Sequence, residues 1–141
     1  MRNYLVSDVL EGQAKIQSKV DKIAYLQKMN SAPLRDILRM NFDDDVVTTL
    51  PTGAPPYKKD DMPDGMNYAT LQNQYRKFAY FFKGKYSDMN PIKRESLFLE
   101  ILESIHPSDA EVFIAAKDKT LKYKGLTKKL VIDSFPNLIQ K

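Results

Sequence analysis

The stretch NPIKRESLFLEILESIHPSDAEVFIAAKD, residues 90–118, decides the fold class. Asn90-Pro91 opens a helix, because a proline in the first turn gives up an N–H that would have no partner there. Leu97, Phe98, Ile101, Leu102 and Ile105 then fall on several helical faces, which predicts a central helix that is apolar nearly all round. His106-Pro107 repeats the same punctuation, and Val112 to Ala116 form the next buried run. Two helices thus stand almost back to back, with no alternation of period two between them. An all-α fold follows.

The rest of the chain extends this pattern. Residues from about Val6 to Met29 place Ile16, Val20, Ile23, Ala24 and Leu26 near a 3.6 period, with Gly12 as an interruption near the start. In NSAPLRDILRMNF, Ser31 is an N-cap and Pro33 fits the first turn, so Leu34, Ile37 and Leu38 form a buried stripe. DDDVVTTL reads as a short further helix capped by Asp43. From Tyr68 to Lys83, helical spacing aligns Leu71, Tyr75, Phe78 and Phe82. A last helix runs from about Leu126 to Phe135 and stops before Pro136. The expectation is one domain, residues 1–141, of six or seven helices. Its longest connection is Pro51 to Gly65, with four prolines and two glycines in fifteen residues.

Composition narrows the function. The chain has no cysteine, which excludes disulfides, thiolate zinc sites and cysteine nucleophiles. No apolar run of membrane-spanning length appears, and the first residues meet acid and glycine too early for a signal peptide, so a cytoplasmic protein is expected. His106 is the sole histidine and sits at a helix start, where capping explains it. Asp43–Asp45 could ligate a cation, but first-turn acids account for them, and Asp60, Asp61 and Asp64 lack the spacing of a calcium loop. No catalytic residue, metal or cofactor is predicted.

The charge is unevenly placed. The chain holds 22 basic and 18 acidic residues, a net +4. KDKTLKYKGLTKK, Lys117 to Lys129, has six lysines and one acid, 6 − 1 = +5, leaving about −1 for everything else. Gly125 can take a positive φ between two helices. The amides of Leu126, Thr127 and Lys128 then open the last helix, Thr127 adds a hydroxyl, and lysines surround it. Lys117, Lys119, Lys122, Lys124, Gly125, Thr127, Lys128 and Lys129 are the candidate nucleic-acid-binding residues. A solvated lysine face on a tight turn is the other reading.

The same residues carry a resemblance. DAEVFIAAKDKTLKYKGLTKKLVIDSFPNLI resembles the end of the helical N-terminal DNA-binding domain of ATP-dependent DNA ligases, particularly those of T-even-like phages. There a glycine turn leads into a helix ending in an aromatic-proline run. Lys122-Tyr123-Lys124-Gly125-Leu126 and Phe135-Pro136-Asn137-Leu138 are the counterparts. Near the beginning, Lys28, Asn30, Leu34, Phe42, Val46 and Pro51 fall in matching places. The chain is also similar, along nearly its whole length, to a family of small proteins of T4-like tailed phages, from which no activity carries over.

The resemblance implies a grip on double-stranded DNA through backbone amides and basic side chains. It does not imply ligation: Lys59-Asp60-Asp61 and Lys117-Asp118-Lys119 both lack the glycine of the ligase Lys-x-Asp-Gly motif. The expected function is non-catalytic DNA binding. The alternatives are a phage accessory module or inhibitor acting on a host or phage replication protein through the loop around Tyr57 and Met62, or a virion-associated structural protein.

Overall fold

Capping chemistry sets the helix starts. Ser31 Oγ accepts from the Leu34 amide at 3.3 Å, Asn90 Oδ1 from Ile92 at 2.8 Å, and His106 Nδ1 from Ser108 at 3.0 Å. In each case a side chain satisfies one of the orphan donors of a first turn. The computed structural model describes residues 5–55, 57 and 75–139. Among these are six α-helices: α1 (Val6–Ala14), α2 (Lys19–Lys28), α3 (Ala32–Phe42), α4 (Pro91–Ser104), α5 (Pro107–Lys117) and α6 (Lys128–Ser134). A 3-10 helix, Tyr75–Phe81, precedes α4. The fold is all-α, and no helix among the described residues is long and apolar enough to cross a membrane.

The core is one cluster of side chains. α3 packs on α5, α1 on α5, and α2 on α6. Leu34, Ile37 and Leu38 meet Phe113 and Ala116 within it, all fully buried. Phe98, Ile101 and Leu102 of α4 are buried as expected, while Leu97 is half-buried. Phe78, Phe81, Phe98 and Phe113 form a tilted and edge-on aromatic set with centroids 4.7 to 6.0 Å apart. Such geometries are the favourable ones for ring quadrupoles.

The fold departs from the sequence expectation in three places. Val6 to Met29 is two helices, broken after Ala14 and restarted by Ser18, whose Oγ accepts from Asp21 N at 3.4 Å. Gly12 stays inside α1, where any Cβ would collide with the Tyr25 hydroxyl, so it lets the hairpin close. On α2 the buried face is Lys22 and Leu26, leaving Val20 74% exposed.

The run Asp43–Leu50 is no helix. Asp43 Oδ1 accepts from Asp45 N at 3.0 Å in a turn, and Thr48 then bridges antiparallel to Phe82. Four successive β-branched residues, Val46 to Thr49, favour extended backbone over the crowding of a helical turn. The amides of Thr49 and Lys83 donate to Phe81 and Val47 carbonyls at 2.8 Å.

The third departure follows from that pairing. Residues 75–81 form a 3-10 helix, and Phe82 has left it for the bridge. The earlier part of the expected helix, with Leu71, lies outside the described residues, as does most of the Pro51–Gly65 connection.

Candidate nucleic-acid interface

Two of the six lysines serve the fold. Lys117, in the last turn of α5, has a side chain with 0% exposure. Its Nζ donates to Pro51 O at 2.8 Å and pairs with Asp118 Oδ1 at 2.5 Å, and Asp118 Oδ2 accepts from Gly53 N at 2.8 Å. The Lys117–Asp118 pair therefore clasps the start of the long connection. Lys119 has φ 59°, and its Nζ donates to Met40 O and Asp43 O, both at 2.7 Å. It satisfies carbonyls at the end of α3. Burial lowers its pKa against the opposing charges of Asp44 and Asp43.

The other four lysines gather where the sequence placed them. Lys122, Lys124, Lys128 and Lys129 are exposed around Gly125, which has φ +76°. Leu126 N donates to Tyr123 O at 3.0 Å, closing the turn, so that amide is taken. Thr127 is the N-cap of α6, its Oγ1 accepting from Leu130 N at 3.1 Å, which leaves its hydroxyl proton as a donor. The amides of Lys128 and Lys129 have no intrahelical acceptor. Among the described residues, Lys122, Lys124 and Lys129 make no ion pair, while Lys128 faces Asp44 at 4.0 Å. That exposed contact is too long and too solvated to hold Lys128 firmly.

Sequence reasoning missed what supports the turn. Gln13 Nε2, from α1, donates to Lys124 O at 3.1 Å. Lys22, buried on α2, donates to Gln13 O and lies directly under Gly125. The available signal was spacing, since Lys22 and Leu26, the two residues that α2 buries, stand at i and i+4. Gln13 gave no such signal.

Tyr123 marks the edge of the basic surface. Burial raises its pKa, and the charges of Glu11, Asp109, Glu111 and Asp8 raise it further. Lys122 and Lys124 adjoin this tyrosine in the chain, while the charges of those acids reach its hydroxyl.

The chain belongs to a family of unknown function (DUF6433), which residues 9–123 match. No curated protein and no solved structure matches the chain.

Proposed function

We propose that the protein binds the backbone of double-stranded DNA without catalysis, through Lys122, Lys124, Lys128 and Lys129 around the Gly125 turn. The observation that carries this reading is the division of the six lysines. Lys117 is buried and the exposed Lys119 is tied to two main-chain carbonyls, while the other four surround one turn that Gln13 and Lys22 brace from below. A braced turn presents its charges with less ordering entropy to lose on binding. Phosphate contacts of this kind position a protein without reading sequence. The resemblance to the ligase DNA-binding domain, drawn from these residues, supports the same reading.

A labelled duplex titrated at several salt concentrations tests it. Four lysines bound to phosphates give a log–log slope of about −3 to −4. No binding at low salt overturns the proposal.

A second reading rests on the clasped segment. Leu50 to Pro55, with Glu95, Phe98 and Leu99, line a groove of about 360 Å³. A protein partner seated there is favoured if the duplex fails to bind.

A further inference from the structure

A second basic segment lies apart from the lysine turn. Tyr75 to Arg94, YRKFAYFFKGKYSDMNPIKR, holds six basic residues and one acidic, 6 − 1 = +5. Arg94 is buried and organises the segment. Its Nε donates to Tyr80 O at 3.0 Å, and its Nη2 donates to Tyr86 O at 3.0 Å and Ser87 O at 3.1 Å. One planar guanidinium therefore fixes the backbone at both tyrosines. Their rings meet edge to face, with centroids 4.6 Å apart and an interplanar angle of 83°.

These rings line an open groove of about 740 Å³. Lys77, Lys85, Lys93 and Leu97 line it as well, and Asp88 is the one acid among its lining residues. Lys85 Nζ lies 5.7 Å from the centroid of the Tyr86 ring. Among the described residues, Lys77, Lys85 and Lys93 make no ion pair.

We infer that this groove binds a single-stranded nucleic-acid segment, its bases against Tyr80 and Tyr86 and its phosphates against the three lysines. Aromatic faces interleaved with unpaired cations are what an unstacked strand requires: rings for the bases and ammonium groups for the backbone. A duplex keeps its bases stacked and cannot present them to a groove floor. An acidic peptide would satisfy the lysines but leave the tyrosines and Leu97 without matching partners. The inference stands apart from the lysine turn, because the two surfaces share no residue.

Fluorescence anisotropy of a labelled oligothymidylate tests it. The intact protein should bind with a log–log salt slope of up to about −2, from three contacts on a single strand. Tyr86→Ala should weaken binding roughly tenfold at unchanged slope, and Tyr86→Phe should bind as the parent does. Exchanging Lys77, Lys85 and Lys93 for Gln should flatten the slope. The exchange of Lys122 and Lys124 for Gln should leave oligothymidylate binding intact while weakening duplex binding, so the two proposals can fail separately. If circular dichroism shows that Tyr86→Ala is unfolded, Tyr86→Leu, which keeps bulk without a π face, takes its place. Absent binding, undiminished binding by the Tyr86 variant, or equal competition by polyglutamate overturns the inference, the last pointing to an acidic protein segment.

Discussion

Gly125 rests against the side chain of Lys22: a Cβ on the glycine would lie 2.9 Å from both Cε and Nζ of the lysine. The glycine also has φ +76°, a region that side-chain-bearing residues rarely occupy. The positive φ itself calls for glycine at this position, and any side chain there would also have to displace the end of Lys22. Lys22 in turn holds Gln13, which holds Lys124. The shape of the basic turn is therefore set by residues more than a hundred positions away in the chain.

Gly125→Ala should destabilise the fold by about 2 kcal/mol, combining a strained left-handed residue with displacement of a buried ammonium. Chemical denaturation followed by circular dichroism measures this. A change below about 0.5 kcal/mol, the range of ordinary surface substitutions, would show that the turn relaxes freely.

The helix starts were legible because their signals are local. Ser31, Asn90-Pro91 and His106-Pro107 sit within three residues of the amides they serve, and the stripe Leu34, Ile37, Leu38 has the helical period. Val46 to Thr49 misled, since a row of acids before them mimics a helix first turn while their own β-branching favours pairing with Phe81 to Lys83. Long-range partners were beyond the sequence. Lys117 reaches Pro51 and Lys119 reaches Met40, and nothing in the run KDKTLKYKGLTKK separates these two lysines from the four that make no such main-chain contact.

The Lys117–Asp118 pair should respond as a buried ion pair. Asp118→Asn leaves the Lys117 ammonium buried without its counter-charge and should cost about 3 kcal/mol. Lys117→Met added to Asp118→Asn removes both charges and should recover part of that loss. Urea unfolding of the single and double variants measures the coupling. Purely additive losses would mean that the ion pair itself contributes nothing.

Asp109 predicts a pH effect. Burial raises its pKa above the ordinary 3.8, against lowering by hydrogen bonds from Ser7 and Val6. The folded protein therefore binds this proton more tightly than the unfolded chain does. The contribution is fully present below pH 3.8, and is lost as pH rises through the raised native value. Asp109→Asn keeps an acceptor for the Ser7 amide, which now donates to Asp109 Oδ1 at 2.9 Å. It should remove this component of the pH dependence and be neutral or stabilising at pH 7. Thermal melts of both proteins between pH 4 and pH 7 decide it, and parallel curves would exclude Asp109 as the source.

The lysine turn should separate placed charge from diffuse charge. Lys122 and Lys124 flank the braced glycine and are exposed, as are Lys15 and Lys28 on the α1–α2 hairpin. Exchanging either pair for Gln removes the same net charge, and neither change should alter stability much, because none of these lysines makes an ion pair among the described residues. If the turn holds phosphates, losing Lys122 and Lys124 should flatten the duplex salt slope by about 2, close to 0.9 for each lost contact. Losing Lys15 and Lys28 should leave the slope unchanged and lower affinity only through the weaker long-range field. Lys119→Gln provides a third arm: its ammonium is spent on Met40 and Asp43, so its loss should appear in the melting temperature and leave the slope alone. Equal flattening by both lysine pairs would mean that DNA senses only net charge, and the turn would then be a structural junction with no binding role.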